Sequence, residues 1–387
     1  MNRAVLHHIA SDYGKNSSIG FRSQKILDYY EDKIDITVIC RSNKTLNKKK
    51  IWTINISYYF SRIFSFITIY VFSSFPARKY ELNIFNILSL PYIILHFIKN
   101  KNKKRVFHSW DTSLWLLQIV KKLEYKIIKD CAMTPAKISL IESNRNPSFY
   151  LDKKTSNKTL KDEKSIFDIS KIIISPSKFT TKFIIEEYHI LPEKLKTIPF
   201  GVNFKKFSTT KKSKLNNKLI RFGFVGLVNM RKGIRWLIND LNKLYSEDNI
   251  KFELHLYGRI FMEEENLLNN TKFKIFKYGF VNSSKTNIYN NFDILIHPSF
   301  IEGSAKCIYE AMASGLPIIC TEASGSLVHN KKNGFIIKAG DSDALLSSIR
   351  FFNKNKSYVY SMGQESENII KRYSWERYAK KVNEIYM

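Results

Sequence analysis

Acidic residues are scarce in this chain. Its 387 residues include 63 lysines and arginines but only 34 aspartates and glutamates, which gives a formal net charge of +29. Such an excess favours anionic partners, and nucleic acid, an anionic membrane surface and phosphorylated small molecules all qualify. A lysine-rich composition spread over a solvated surface would give the same charge. At about 150 residues per domain, the length predicts two or three domains, and two is the simplest number.

Paired cysteines and the common nucleotide and metal motifs are also missing. The four cysteines, at positions 40, 131, 307 and 320, form no CxxC pair and no metal-ligand spacing, so we expect reduced, mostly buried thiols. No GxGxxG joins a predicted strand to a helix, which argues against a dinucleotide-dependent dehydrogenase. The Asp-x-Asp pair Asp341-Ser-Asp343 precedes "ALLSSIRFF" and indicates a helix cap. We therefore expect neither a metal nor another cofactor.

Long uninterrupted apolar runs are absent too. Residues 51–75 are apolar and aromatic, but Asn55 and Arg62 interrupt them, so we do not expect a spanning helix. The stretch 86–98 is apolar and is followed by the basic cluster "KNKNKKR" (99–105), which suits a helix lying on anionic lipid headgroups. Two ordinary core helices, one over 51–75 and one over 86–98, with a solvated basic end fit the two segments equally well. Because the N-terminus has no secretory signal, we expect a cytoplasmic protein, peripheral on the inner face of the cytoplasmic membrane.

Two series of short apolar runs alternate with amphipathic stretches. The predicted strands are 4–9, 35–40, 105–109, 125–129, 171–176 and 195–200 in the first series, and 220–226, 252–258, 274–280, 293–299, 317–321 and 334–339 in the second. This alternation is typical of α/β proteins with parallel sheets. We predict two Rossmann-like, doubly wound parallel-sheet domains that face each other across a cleft.

The domain boundaries follow from the same pattern. The predicted N-terminal acceptor-side domain covers residues 1–202, and the predicted C-terminal donor domain covers residues 203–370, with a polar linker at 209–218. Residues 371–387 predict an amphipathic helix with a capping serine, Ser374, that packs back on the N-terminal domain.

The strongest functional signal is "SFIEGSAKCIYEAMASGLPIIC" (299–320). Glu302 follows a predicted strand, and a short helix is predicted over about 305–314, ended by Gly315. We expect four free amides at the mouth of this helix, those of Gly303, Ser304, Ala305 and Lys306. Together with the positive end of the helix dipole, they predict a site for an anion, most simply a phosphate.

Two carboxylates, Glu302 and Glu310, flank this predicted anion site. A carboxylate accepts hydrogen bonds from two hydroxyls at once, as in a ribose or a sugar ring. Nearby, "FGFVGLVNMRKGIRWLINDL" (222–241) ends a strand at Gly226 and then presents Arg231 and Lys232, two cations that can stabilise a departing nucleoside diphosphate. Hydroxyl acceptors around a phosphate site predict a nucleotide sugar. Solvent-facing carboxylates and a solvated turn are the alternatives.

Residues 195–340 resemble the donor-binding half of retaining glycosyltransferase family 4, which has the GT-B architecture. The matching segments are "PEKLKTIPFGVNFKKF" (192–207), "FGFVG" and "RKG", "FDILIHPS", the Glu-x7-Glu stretch and "NGFII" (333–337). The resemblance implies that Lys232 contacts the donor diphosphate, Glu302 the sugar and Glu310 the ribose. We expect backbone groups near Phe280 and Val281 to contact the base.

The sequence departs from the family pattern in several places. Leu227 stands where the family commonly has arginine, so we expect Arg231 to substitute for it or the diphosphate to be held more weakly, and Ser326 replaces a frequent glutamate. The N-terminal half matches only in outline, and the histidine common after its fourth strand is not evident. The candidates on the acceptor side are Ser18, Gly20, His108 and Asp111. His108 also fits a packed strand end.

We therefore predict a retaining, hexosyltransferase-like glycosyltransferase of cell-surface polysaccharide synthesis. Lys232, Arg231 and Glu302 are its predicted catalytic residues, and its acceptor is a glycan or a lipid-linked glycan. One alternative is a non-catalytic subunit that binds a sugar nucleotide on the same fold. A basic nucleic-acid-binding protein would explain the charge but not the ordered motifs, so we expect no nucleic acid partner.

Overall fold

The computed structural model describes residues 3–14, 19–29, 34–43, 77–131, 134–152, 155–207, 219–281 and 288–387. Three sequence predictions lie outside these residues: the absence of a spanning helix in 51–75, the linker at 209–218 and the role of Ser18.

Six parallel strands form the first sheet, in the order β2-β1-β3-β4-β5-β6. They are β1 (Arg3–Tyr13), β2 (Ile34–Asn43), β3 (Lys104–Ser109), β4 (Lys126–Asp130), β5 (Ile172–Ser175) and β6 (Leu195–Thr197). Most residues of β1 are buried, as expected for a parallel strand covered on both faces. The strand order reverses between β1 and β3, where ligands of open α/β sheets bind outside the carboxyl ends.

The second sheet also has six parallel strands, in the order β12-β11-β10-β7-β8-β9. They are β7 (Ile220–Val225), β8 (Phe252–Tyr257), β9 (Lys274–Lys277), β10 (Ile294–His297), β11 (Ile318–Thr321) and β12 (Gly334–Ile337). The corresponding reversal lies between β7 and β10. Each of the twelve predicted strands is confirmed, with ends that differ by a few residues.

Helices connect the strands within each sheet. In the described residues they are α1 (Ile19–Asp28), α2 (Ala77–Lys99), α3 (Leu114–Lys122), α4 (Ala136–Arg145), α5 (Asn157–Ile169), α6 (Lys178–Tyr188), α7 (Phe204–Phe207), α8 (Ile234–Glu247), α9 (Met262–Asn269), α10 (Lys306–Ala313), α11 (Ser342–Lys354), α12 (Ser357–Ile370) and α13 (Trp375–Tyr386). Short 3₁₀ turns cover Pro192–Lys194, Met230–Lys232, Ile288–Asn290 and Glu322–Ser324. The predicted helix at 305–314 is confirmed as α10.

The carboxyl ends of the two sheets face each other. The Thr180 hydroxyl, after β5, donates to the carbonyl of Gly303, after β10, at 3.4 Å. Gly325, after β11, has a positive φ of 59° and no room for a side chain, because the Gly303 carbonyl oxygen and the Ser177 hydroxyl oxygen lie 2.3 and 2.8 Å from where its Cβ would be. The two-domain α/β prediction is therefore confirmed.

The C-terminal helix α13 packs against α1 of the first unit. Ser374 caps it, as predicted, by accepting a hydrogen bond from the Arg377 amide at 3.1 Å. The chain passes between the units at two crossovers, which are joined where the Val202 amide donates to the Tyr373 carbonyl at 2.9 Å. The domain boundaries at 202 and 370 stay predictions.

A tyrosine at the end of α13 reaches two buried histidines of the first sheet. The Tyr386 hydroxyl lies 2.8 Å from His7 Nε2 and 2.5 Å from His108 Nδ1. Burial lowers the pKa of both imidazoles, so both rings are neutral and each can share a hydrogen bond with the hydroxyl. Trp110 stacks on His108 with ring centroids 3.9 Å apart. We call the group of Tyr386, His7 and His108 the tyrosine clasp.

Helix α2 runs through Pro91 without interruption, so residues 86–98 all belong to one helix. Among the described residues, its segment Tyr80–Lys99 is long and apolar enough to cross a membrane. Length and composition alone do not separate a spanning helix from a core helix. One face of α2 packs on the first sheet through Phe85 and Ile93, and the opposite face is exposed.

The substitution Tyr386→Phe tests the tyrosine clasp. It removes the hydroxyl and keeps the ring, so the two buried imidazole nitrogens lose a partner. We expect the free energy of unfolding to fall by about 1–3 kcal/mol in urea denaturation followed by circular dichroism. Tyr358→Phe is the control, because Tyr358 is 46% exposed, and it should change the free energy by less than about 0.5 kcal/mol. Equal effects of the two substitutions would contradict the clasp.

Candidate functional site

The loop after β7 carries Lys232 into the site. Asn229 begins its 3₁₀ turn, and the Asn229 side-chain oxygen accepts a hydrogen bond from the Lys232 amide at 3.2 Å. Gly233 ends the turn with a φ of +75°, and a Cβ there would lie 2.0 Å from the carbonyl oxygen of Pro298. Only glycine fits this contact, so the turn lies directly against the chain that follows β10.

Glu302 lies in the loop after β10, and three basic side chains surround its carboxylate. The Lys232 ammonium contacts it directly. The Arg231 guanidinium lies 3.7 Å from the same oxygen, and His297 Nε2 lies 3.9 Å from it. Hydrogen bonds to the backbone hold Arg231 and Glu302 in place. The Arg231 guanidinium donates to the Ile301 carbonyl at 2.9 Å, and the Glu302 amide donates to the Ala323 carbonyl at 3.0 Å.

Burial decides the charge states in this group. Burial favours the neutral amine and lowers the pKa of Lys232 to about 8. The nearby Cys307 thiol acts in the opposite direction, and the Arg231 charge lowers the pKa further. Burial also lowers the pKa of Arg231, which stays charged because an arginine starts so high. His297 is neutral, because burial and then the two neighbouring cations lower its pKa well below 6.5.

The mouth of α10 differs from the prediction in one respect. The Ala305 amide is not free, because it donates to the Ser324 carbonyl at 3.0 Å. The prediction of four free amides was therefore wrong at this position, since the turn after β11 packs against the mouth of α10. In the part of the chain that the structure describes, the amides of Gly303, Ser304 and Lys306 have no backbone acceptor. The Ser304 hydroxyl donates to the Tyr309 hydroxyl at 2.9 Å.

Glu310 lies one turn into α10 and is buried. The Tyr289 hydroxyl donates to its Oε2 at 2.6 Å, and the Lys306 ammonium lies 3.2 Å from its Oε1. Burial, and then the Glu310 charge, raises the pKa of Tyr289 well above 10, so this phenol remains a donor. The alternative of a solvent-facing Glu310 is wrong.

Cys307 connects the two carboxylates. Its Sγ lies 3.4 Å from His297 Nδ1, on the ring that faces Glu302. The charges of Lys232 and Glu310 both act on its thiol, and burial raises the pKa of that thiol to about 12. Lys232, Glu302, His297, Cys307 and Glu310 therefore form one continuous cluster, which we call the carboxylate cluster.

Three glycines lie side by side at the carboxyl edge next to this cluster. Gly226 follows β7, Gly258 follows β8 and Gly279 follows β9. The Gly258 amide donates to the Gly279 carbonyl at 2.7 Å, and a Cβ on Gly258 would lie 1.7 Å from the Gly226 carbonyl oxygen. Phe280, next in the chain, is 83% exposed, and Val281 packs against the core of the second unit. The predicted base-binding residues thus lie at the same edge as Gly226.

The acceptor-side candidates lie along the first sheet. Gly20, in the first turn of α1, has no room for a side chain, because a Cβ there would lie 1.9 Å from the Asp12 carbonyl oxygen. His108 is fully buried in the tyrosine clasp, and Asp111 is partly exposed after β3. The sequence reasoning missed Asp130, at the carboxyl end of β4, whose carboxylate lies 3.5 Å from His108 Nε2 and 3.9 Å from the Arg22 guanidinium.

The Asp341-Ser-Asp343 pair lies at the start of a helix, as predicted. The Asp341 side chain caps α11 by accepting a hydrogen bond from the Ala344 amide at 3.0 Å. Among the described residues, no group of three or more His, Cys, Asp or Glu side chains could hold a metal ion. The expectation that no metal or cofactor is needed stays a prediction.

Part of the second unit is similar in sequence to known proteins. Residues 220–355 match the family model described as "Glycosyl transferases group 1". The capsular polysaccharide biosynthesis glycosyltransferase CapM of Staphylococcus aureus is 28% identical over 181 residues, which cover 44% of this chain and 48% of CapM. Matches to curated relatives cover between 12% and 59% of those proteins' own length.

Two solved structures share the fold over nearly the whole chain. Sucrose-phosphate synthase from Thermosynechococcus elongatus aligns with a TM-score of 0.74 and 15% identity over 100% of this chain and 98% of that chain. Anabaena HepE in complex with UDP aligns with a TM-score of 0.66 and 15% identity over 98% of each chain. At such identities the likeness establishes the fold alone. The chain has the GT-B fold, and its residues 220–355 match a family model of glycosyltransferases.

Proposed function

We propose that this protein transfers a sugar from a nucleoside diphosphate sugar to a glycan or lipid-linked acceptor, with retention of the anomeric configuration. The observation that carries the proposal is the carboxylate cluster together with Arg231 and the mouth of α10, which bring two cations, a helix N-terminus and two carboxylates to the carboxyl edge of the second sheet. The match of this sheet to a glycosyltransferase family supports it. Retention rests on the resemblance of the motifs to a retaining family.

The two cations, Lys232 and Arg231, stabilise the leaving diphosphate. When the bond between sugar and phosphate breaks, negative charge develops on the diphosphate, and cations already in place stabilise it in a site with little water. Lys232 and Arg231 are held by the 3₁₀ turn and by backbone bonds, so they need little reorganisation. The amides of Gly303, Ser304 and Lys306 add donors for the phosphate or the sugar.

The two carboxylates serve the hydroxyls on either side of that diphosphate. Glu302 orients the sugar, and Glu310 accepts from the ribose. The Tyr289 hydroxyl donates to one oxygen of Glu310, which leaves the other, beside Lys306, for the ligand. Phe280, exposed at the edge with Gly226, provides a surface for the base. HepE, which shares the fold, is in complex with UDP.

A panel of nucleoside diphosphates tests donor binding. We expect one of them to raise the melting temperature by several degrees, because a ligand that binds only the native state stabilises it. Glu310→Ala should abolish this increase, measured against the variant's own melting temperature, because the ribose loses its acceptor. Glu265→Ala, an exposed carboxylate on α9, is the matched control. The proposal fails if no diphosphate stabilises the protein or if Glu310→Ala binds as the wild type does.

Turnover separates an enzyme from a binding subunit. When the protein is incubated with the preferred nucleotide sugar, labelled in its sugar, and with a membrane lipid extract, it should release the nucleoside diphosphate and transfer the label to a glycan. The proton coupling constant of the new anomeric centre then reports retention or inversion. Binding without any release would assign the chain to a non-catalytic subunit.

The buried lysine predicts how donor affinity depends on pH. Since the pKa of Lys232 is about 8, its ammonium loses its charge as the pH rises above that value. We expect the dissociation constant of the preferred diphosphate, measured by calorimetry, to rise about tenfold per pH unit between about pH 8 and 10. Lys232→Arg should remove this rise because a guanidinium stays charged. A flat profile in the wild type would show that Lys232 does not bind the diphosphate.

The exposed face of α2 supports a membrane-linked acceptor, because most of its side chains are apolar. The face that packs on the protein combines Phe85 and Ile93 with three polar side chains, Asn86, Ser89 and His96. The large apolar side chains on the exposed face are Ile87, Leu88, Tyr92, Ile94, Leu95 and Ile98, and Lys99 is exposed at the helix end. Ile87 and Ile98 are 58% and 52% exposed. A helix with its apolar face in water is unfavourable unless something covers that face.

An anionic bilayer is the partner that fits this face. Lys101 and Lys104 lie exposed just beyond the helix, within the basic cluster 99–105. Each cation near an anionic surface contributes about 1 kcal/mol, and each large apolar side chain that leaves water contributes about 1.5–3 kcal/mol. Docking through α2 places the first sheet, the acceptor side, next to the lipid. We therefore propose that the protein works on the inner face of the cytoplasmic membrane, in cell-surface polysaccharide synthesis. The name of its relative CapM, a capsular polysaccharide biosynthesis glycosyltransferase, supports this proposal.

Vesicle binding tests this docking face. We expect the protein to sediment at low salt with vesicles of phosphatidylglycerol and phosphatidylcholine in equal parts, and less with phosphatidylcholine alone. The pair Leu95→Glu and Ile98→Glu should weaken this binding at least about tenfold. The control pair, Leu151→Glu and Leu191→Glu, adds the same charge at two exposed leucines elsewhere and should bind as the wild type does. Equal loss in both pairs would contradict docking through α2.

A further inference from the structure

A second basic site lies where the two crossovers between the units meet. A cavity of about 210 Å³ opens between the chain after β6 and the start of α13. At about 30 Å³ per water in the liquid, it can hold a phosphate or diphosphate group. Its lining residues are Pro199, Arg372, Tyr373, Ser374, Arg377, Tyr378 and Lys381. We call it the crossover pocket; it shares no residue with the carboxylate cluster.

The lining of this pocket is cationic and lacks acids. Three of its side chains, Arg372, Arg377 and Lys381, are basic, and none is acidic. In the described residues no carboxylate pairs with any of the three, and the Arg377 guanidinium donates to the Arg372 carbonyl at 3.3 Å. Other arginines of the second unit do have carboxylate partners, as Arg221 has Asp293 at 2.8 Å.

Like charges that converge on one cavity repel each other, so this arrangement is stabilised when an anion enters. Residues 371–381, "KRYSWERYAKK", contain five cations and one acid, Glu376. The pocket also lies at the N-terminal end of α13, where the helix dipole adds positive potential. Arginine forks and a lysine ammonium together match the oxygens of a phosphate better than a lone carboxylate.

The position of the pocket gives an occupant contact with both crossovers. Pro199 belongs to the first crossover and Tyr373 to the second. The two segments are in close contact, because a Cβ on Gly201 would lie 2.4 Å from the Trp375 amide nitrogen. An anion here neutralises cations at the joint between the units.

We propose that the crossover pocket binds a phosphate-bearing ligand, distinct from the nucleotide sugar. The phosphate comes from either of two sources: a soluble phosphate ester or a phospholipid headgroup. This proposal does not rest on the proposed glycosyl transfer, since it uses none of the donor residues.

Calorimetry with inorganic pyrophosphate tests the pocket. All proteins carry Lys232→Ala, so that the donor site contributes little and a failed donor assignment leaves the test unchanged. We expect pyrophosphate to bind this background, and the added pair Arg377→Gln and Lys381→Gln to weaken binding about tenfold or more. Both side chains are exposed, so the fold should persist, which circular dichroism checks. The control pair Lys121→Gln and Lys122→Gln, exposed on α3 with the same change in charge, should bind as the background does.

Vesicles containing phosphatidylglycerol separate the two sources. If the Lys232→Ala protein does not bind pyrophosphate, and the added Arg377→Gln and Lys381→Gln substitutions reduce its binding to vesicles, the pocket binds a lipid headgroup. A loss of pyrophosphate binding in that pair assigns it to a soluble phosphate. If neither binding depends on Arg377 and Lys381 more than on the control lysines, the proposal is wrong.

Discussion

The contact between the Lys232 ammonium and the Glu302 carboxylate is the interaction on which the site depends. The two residues lie on separate loops, after β7 and after β10. Their contact requires the backbone of Gly233 to touch the Pro298 carbonyl, which a side chain at 233 would prevent. A buried pair of charges loses much of its hydration, so it persists only with good geometry and further hydrogen bonds. Those bonds come from Arg231 and from the backbone of the turn after β11.

On the proposed function, the same pair keeps the cations ready for a diphosphate. The contact with Glu302 reduces the cost of burying the Lys232 ammonium. On the proposed function, a diphosphate offers Lys232 and Arg231 more negative charge than one carboxylate does, so the cations turn to it. Glu302 is then released to accept sugar hydroxyls. One carboxylate thus has two successive partners, and neither state leaves a buried charge alone.

The strands and the site loops could be predicted from sequence because their signals are local. Apolar runs gave the strands, and glycine and proline at fixed offsets gave the ends of α10 and of the Lys232 turn. Tyr289 could not be predicted as the partner of Glu310, because "NIYNNFD" has no feature that distinguishes one buried tyrosine from another. The Ala305 amide depends on a turn from another strand, and the tyrosine clasp joins residues 379 positions apart. Such contacts are set by tertiary packing, which a local pattern does not contain.

The charge of +29 becomes interpretable once the unpaired cations are located. Many basic residues have a carboxylate partner, as Arg221, Arg235 and Arg350 do, and those pairs contribute little to binding an anion. Among the described residues, cations without a carboxylate partner include Lys101 and Lys104 beyond the end of α2, and Arg372, Arg377 and Lys381 in the crossover pocket. A solvated surface of scattered lysines would not line a cavity or follow an apolar face. Because phosphate oxygens are the ligand chemistry common to a nucleotide sugar, a lipid headgroup and a phosphate ester, one composition serves all three places.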